Sequence, residues 1–236
     1  MRVLVVEDDI ILGKAPKSAG DTGPASATAD SFTVKPGAKA FGAMRRLAGF
    51  FSRRRRSIAA IGLTAAGFGG YLVFLQLSGN FHTVIDGELY RSAQPTAGQL
   101  ETYVHDHGIK TVINLRGEST GARWYVDEIA AAKRLDINHI DFRMSASRGL
   151  STDQAEALVA ILRAAPKPIL IHCAAGADRT GLVSVIYSER IAGINEDVAE
   201  NQLSIRFGHI GIPFLSSTFA MDDSWERLER HFGIEG

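Results

Sequence analysis

The chain has 236 residues, room for one ordinary domain and some extra. Apolar residues make up 45% and charged residues 22%, as in a globular chain, and a formal net charge of zero excludes a global field that would draw nucleic acid. A single cysteine, Cys173, excludes an internal disulfide and leaves any thiol chemistry to one residue.

The start, Met1 to Asp9 (MRVLVVEDD), resembles the first strand and acidic corner of a response-regulator receiver domain. The pattern then stops: no second strand, phospho-acceptor Asp in context or later Lys follows, so no receiver function is expected. Residues 13–43 are rich in Gly, Ala, Ser, Thr, Pro and Lys without helical or strand periodicity, and residues 1–43 are expected to form a disordered N-terminal segment. Residues 44–56 carry Arg45, Arg46 and the run Arg53 to Arg56, a basic juxtamembrane segment. Residues 57–77 contain no charge. At about 1.5 Å per residue they span roughly 30 Å, the thickness of a hydrocarbon core, so a transmembrane helix is expected. A buried soluble helix and a cleavable signal peptide are the competing readings. The long lead before the apolar run and the lack of a small-x-small cleavage site disfavour the signal peptide. The positive-inside rule puts the arginines and the N-terminus in the cytoplasm, and the chain beyond residue 78 in the periplasm or outside the cell.

Residues 80–236 read as one α/β domain with a central, mostly parallel sheet flanked by helices. Asp86-Gly87 between two short apolar runs signals a hairpin. Thr96 and Gln99 make a capping box for a helix ending at Gly108, and Ser151 and Gln154 make a second, for a helix through Ala164. Thr111 to Leu115, Ile137 to Phe142 and Pro168 to His172 read as strands. Residues 122–135, 180–192, 195–207 and 217–232 read as helices.

The chemistry lies between the last strand and the helix after it. Cys173, Ala174, Ala175, Gly176, Ala177, Asp178 and Arg179 form a tight loop, and Thr180 opens the helix. Converging loop amides and the helix start make an anion cradle, which lowers the pKa of a thiol placed in it. Gly176 lets the backbone bend inward. Arg179 offers a planar fork for two oxygens of a phosphoryl group, and Thr180 can donate a hydrogen bond to the sulfur. His172 is expected to fix the loop rather than to titrate.

His172-Cys173-x-x-Gly176-x-Asp178-Arg179-Thr180-Gly181 resembles the signature of the cysteine-dependent protein tyrosine and dual-specificity phosphatases. Leu89 to Pro95 and Gly108 to Arg116 resemble bacterial members of that family, some of them exported to the periplasm. The resemblance implies a protein tyrosine phosphatase-like fold and two-step hydrolysis of phosphate monoesters. Cys173 would attack phosphorus, water would hydrolyse the phosphocysteine, and Arg179 with the loop amides would stabilise the equatorial oxygens. It implies no metal and no cofactor. The expected partner is a phosphorylated protein or small phosphate ester, with phosphotyrosine foremost and phosphoserine and phosphothreonine also admitted.

The sequence departs from the family at the general acid. Where the family places an Asp before the helix that precedes the nucleophile strand, the chain reads Met144-Ser-Ala-Ser-Arg-Gly149. Asp178 ranks first as substitute and Asp141 second, with a structural hydrogen-bonding role in the loop as the other reading of Asp178. Asp153 is explained as a first-turn acid facing the helix dipole. Arg116, at a strand end, is the best second phosphate contact, against a surface ion pair with Glu118. Ala at 174, 175 and 177 gives no support to a multiply phosphorylated inositol substrate. That activity, a phosphoryl-binding pseudophosphatase and a sulfurtransferase are the rival functions. Trp124, Tyr125 and Trp225 read as packing aromatics.

Overall fold

The structure, a computed structural model, describes residues 38–213 and 215–234. The receiver-like start and the disordered segment expected before residue 38 lie outside the described residues. The chain divides into two compact units, Met1–Arg55 and Arg56–Gly236. The helix α1 (Ala38–Leu77) begins six residues before the boundary expected from composition, so residues 38–43 are helical. Its Ser57–Leu77 part is long and apolar enough to cross a membrane, with mean hydropathy 1.9 and 6% of its most apolar stretch buried.

The second unit is built on five strands: β1 (His82–Ile85), β2 (Leu89–Ser92), β3 (Thr111–Asn114), β4 (Asn138–Asp141) and β5 (Ile169–His172). Their order is β1-β2-β5-β3-β4. β1 and β2 form the antiparallel hairpin announced by Asp86-Gly87, with a register shift between Thr83 and Ile85. Every other pairing is parallel. The register puts Ser92 and Asn114 beside His172, and Asp141 beside Asn114. Four strand ends therefore meet at one edge of the sheet, where open α/β sheets place their ligands.

Helices cover both faces. α2 (Ala97–His107) and α4 (Thr152–Ala164) start at the two capping boxes, and Gly108 closes α2 with φ +64°. α3 (Arg123–Arg134), α5 (Asp178–Arg190), α6 (Glu196–Ala199) and α7 (Ala220–Phe232) complete the layers. The pleat sorts strand residues between two cores. Leu89, Ile113, Ile169 and Ile171 join α4, α5 and α7, whereas Tyr90, Val112 and Leu170 join Leu100 and Tyr103 of α2 and Ala131 of α3. Strands buried on both faces are near-continuous apolar runs, which is how β5 reads.

The helix expected over 195–207 is instead the single turn α6 followed by 3-10 turns at Glu200–Gln202 and Ile205–Phe207. The reason is local packing. This segment crosses α5 at Gly181, where a Cβ would stand 2.7 Å from Leu203 Cδ2 and 3.1 Å from the Gln202 carbonyl. A continuous helix would need more separation than this close approach allows.

Candidate active site

β5 ends at His172, and α5 begins at Asp178 with no side-chain cap on its first turn. Cys173 sits between them, 2% exposed, at the meeting of the four strand ends. The Gly176 N–H points at its sulfur, 3.2 Å from Sγ. Gly176 has φ +71°, and a Cβ there would lie 2.5 Å from the Ala93 nitrogen, so only glycine fits.

The outer side of the loop is held by Arg91, which is fully buried. Its Nη2 donates to the Gly176 and Ala177 carbonyls at 3.0 and 2.9 Å and to Thr180 Oγ1 at 3.3 Å. Its Nη1 donates to the Gln202 carbonyl and side chain, and its guanidinium lies 4.2 Å from the centre of the Phe207 ring. Burial lowers its pKa to about 9, against the opposing pull of the neighbouring Cys173 and Asp178. The carbonyls of residues 176 and 177 face this cation, so the N–H groups of Ala177 and Asp178, across the same trans peptides, face the other way. Thr180 Oγ1 accepts the bond from Arg91 on the outer side, and its hydroxyl hydrogen stays free to donate.

Arg179 donates from Nη1 to the carbonyls of Leu115 and Met144 at 3.4 and 3.3 Å. This ties the Cys173 loop to the end of β3 and to the 144–149 loop, beside a cavity of about 450 Å³ lined by Arg143, Met144, Ser145 and Arg148. Arg116 is stacked on Trp124, with Cζ 3.6 Å from the ring centre, and its Nη1 donates to Gln94 Oε1 at 2.9 Å. Burial and the nearby charge of Arg179 lower its pKa, while Cys173 and Glu128 raise it. No Arg116–Glu118 pair occurs among the described residues.

The two candidate acids are both engaged. Asp178 Oδ1 lies 2.8 Å from His209 Nδ1, and Asp222 Oδ2 lies 2.9 Å from His209 Nε2. Carboxylates facing both ring nitrogens favour the doubly protonated form. Burial pushes the His209 pKa down, but Asp178 and Asp222 outweigh it and the net shift is upward. Asp141 accepts from Asn114 Nδ2 at 2.7 Å through one oxygen and from the Tyr125 hydroxyl at 2.5 Å through the other. That bond pushes the Tyr125 pKa up to about 12.

Sequence reasoning missed a buried carboxylate beside His172, next to Cys173. Glu128 Oε1 accepts from His172 Nε2 at 3.0 Å and His139 Nε2 at 2.7 Å, and Gln94 Nε2 donates to its other oxygen. Burial opposes its charge, yet the two histidine hydrogen bonds bring its pKa down to about 2. The signal was present: Glu128 lies on the buried stripe of α3 with Tyr125, Ala131 and Ala132, where a charge needs a reason. Trp124, read as a packing aromatic, is the platform under Arg116. His209 and Asn80 carried no local signal. Arg91 stands behind the loop.

Residues 78–208, more than half of the chain, match the family model described as a DSP-PTPase phosphatase fused to NAD+ kinase. The chain belongs to this phosphatase family. It is a cysteine-based phosphatase of the protein tyrosine and dual-specificity type, as the loop motif implied. Similar solved structures include TpbA of P. aeruginosa, 22% identical, covering 64% of this chain and 85% of that one with TM-score 0.48. The catalytic core of the PP-IP phosphatase SIW14 from S. cerevisiae is 23% identical over 65% and 93%, with TM-score 0.48. A DUF442 protein of Shewanella putrefaciens CN-32, 15% identical over 66% and 94% with TM-score 0.50, shares the fold. No curated protein matches the chain.

Proposed function

We propose that this phosphatase hydrolyses phosphate monoesters through a phosphocysteine on Cys173, with phosphotyrosine-like aryl esters as its best substrates. The observation that carries the reading is the thiol at the uncapped start of α5 with the Gly176 N–H aimed at it. Partial positive charge from the helix start and the loop amides favours thiolate over thiol. In the first step the thiolate sulfur bonds to phosphorus and the ester oxygen leaves with the bonding pair. In the second, water attacks phosphorus, the S–P bond breaks, and phosphate and thiolate are released. Arg179 and the loop N–H groups of residues 174–180 stabilise the equatorial oxygens in both steps.

Protonation of the leaving group sets the preference. The 144–149 loop offers Ser145, Ser147 and Arg148 but no carboxyl. Asp178 is paired with His209, and both oxygens of Asp141 accept hydrogen bonds. Asp178 is thus read as the loop's anchor, and the enzyme favours leaving groups that depart as anions unaided: phenolate before alkoxide. A second reading rests on Arg116. A cation held on Trp124 near Arg179 suits a neighbouring phosphate, as in an inositol phosphate or a phosphoanhydride.

The proposed setting is a single-pass membrane protein, comprising the basic segment 44–56, the span 57–77 and the phosphatase domain 80–236. The N-terminus would be cytoplasmic and the catalytic domain periplasmic or extracellular. The apolar, solvent-facing Ser57–Leu77 and the arginines before it support this. Tyr71 donates to the Arg206 carbonyl at 2.5 Å, which brings exposed Ile205 to the level of that span. A C-terminal alkaline phosphatase reporter should be active in intact cells; activity of a cytoplasm-only reporter there would reverse the topology.

The deciding assay is hydrolysis of para-nitrophenyl phosphate by the full chain in detergent with EDTA. Turnover should fall by on the order of 10⁴-fold in Cys173→Ser. An inactive parent that still binds vanadate would make the domain a phosphate reader and overturn the enzymatic proposal for this chain.

A further inference from the structure

The end of α1 runs into the nucleophile loop. Leu75 is buried, and the Asn80 N–H donates to its carbonyl at 2.8 Å, closing the helix through Gly79 and Asn80 at φ +77° and +44°. Asparagine tolerates this left-handed conformation better than most side chains. The turn aims two side-chain amides at one oxygen. Asn80 Nδ2 donates to the Ala175 carbonyl at 2.9 Å and to the Phe207 carbonyl at 2.9 Å, and Gln76 Nε2 donates to the Ala175 carbonyl at 3.2 Å.

That carbonyl belongs to the same peptide plane as the Gly176 N–H, and in a trans peptide the two point in opposite directions. Its oxygen is held outside and its hydrogen lies toward Cys173 Sγ. Arg91 orients the next two planes through the carbonyls of residues 176 and 177, and among the described residues it makes no hydrogen bond to the carbonyl of 175. The first plane is also the easiest to turn over, because Gly176 is as comfortable at negative φ as at +71°. Turned over, it would present a carbonyl oxygen to the thiolate and to the phosphoryl oxygens, replacing attraction by repulsion.

We propose that Asn80 and Gln76 are positioning residues, a two-donor latch from the end of the apolar helix that keeps the Gly176 N–H on the nucleophile. The inference rests on Cys173 being the nucleophile. It makes the helix end a working part of the site, so a catalytic fragment begun at residue 80 lacks half the latch.

The test uses the full chain in detergent micelles. Because Cys173 is the only cysteine, iodoacetamide alkylation against pH reads its ionisation directly. Gln76→Ala removes one donor from an exposed side chain, and Asn80→Asp keeps size and the tolerance of positive φ while removing the other. Asn80→Gly keeps the backbone freedom without either donor or charge. Vanadate inhibition should weaken about threefold in Gln76→Ala and about tenfold in the Asn80 variants, as expected for one and two lost hydrogen bonds. The alkylation midpoint should move to higher pH in the same order. Folded variants with parental vanadate affinity and an unmoved midpoint would overturn the latch. A parent chain that never turns over substrate would sink the phosphatase reading instead, and alkylation would still decide the latch.

Discussion

The inner and outer sides of the nucleophile loop are assembled differently. The inner side is ten consecutive residues, His172 to Gly181, and carries the reacting sulfur, the amides and Arg179. The outer side is gathered from distant places: Gln76 and Asn80 at the end of α1, Arg91 on β2, Gln94 after it, Glu128 on α3 and His209 beyond α6. A loop of amides pointing at one centre repels itself electrostatically until an anion arrives. The outer groups offset that by hydrogen-bonding the carbonyls and fixing the strand ends, so the cradle stands ready before substrate binds. Chemistry on the inside is local; preorganisation on the outside is tertiary.

If that division holds, damage to the outer side should appear first as lost stability. The largest effect is expected at Glu128→Gln. The carboxylate serves two histidines and an amide in a buried site, and an amide cannot accept from all three through the same pair of oxygens. Urea unfolding should show a loss of about 4 kcal/mol at neutral pH. The folded pKa near 2 is depressed below the ordinary 4.5, so this stability is present above pH 4.5 and is lost as pH falls toward 2. The variant should lack that acid limb.

Arg91→Met comes next. The thioether fills much of the space over Phe207 but removes the Arg91 hydrogen bonds to the carbonyls of 176, 177 and 202, leaving the 177 carbonyl only its bond from the Gly181 N–H. About 3 kcal/mol of stability should go, with weaker vanadate binding in what remains folded. An unchanged vanadate affinity would mean that the loop holds its shape unaided.

The same division explains what was legible in sequence. The motif was readable because its members are consecutive, and the capping boxes, the hairpin and the apolar strands were readable because each is a local pattern. Gln76, Asn80, Arg91 and His209 meet the loop only through the strand order β1-β2-β5-β3-β4, in which β5 inserts between β2 and β3. Nothing in the neighbours of Asn80 announces Ala175, 95 residues away. The 195–207 segment misled for a related reason: its helical spacing is real, but contact with Gly181 overrides it.

At the rim that faces the inner side, Arg116→Ala should leave stability nearly unchanged and separate substrates. Its guanidinium rests on Trp124 at the rim rather than in the loop. KM for para-nitrophenyl phosphate should rise no more than about threefold, whereas a substrate with a second phosphate should lose about tenfold or more, the worth of one charged hydrogen bond. Equal losses for both would remove the case for a second phosphate subsite.

The smallest effect tests where Asp178 belongs. Its partner His209 has a pKa raised above the ordinary 6.5, because Asp178 and Asp222 outweigh burial. A raised folded value means that the stabilisation is fully present below pH 6.5 and disappears as pH climbs through the folded pKa. His209→Asn should cost about 2 kcal/mol at pH 6 and progressively less in alkaline solution, read by thermal melts across the range. Asp178→Asn should show the same pH-dependent loss, since it breaks the same ion pair from the other end. Its effect on turnover should then be equal for aryl and alkyl phosphates, because an anchor does not sense the leaving group. If Asp178→Asn instead slows a phosphoserine peptide far more than para-nitrophenyl phosphate, the carboxyl is donating a proton to the departing alkoxide. Asp178 would then act on the inner side of the loop despite its hold on His209.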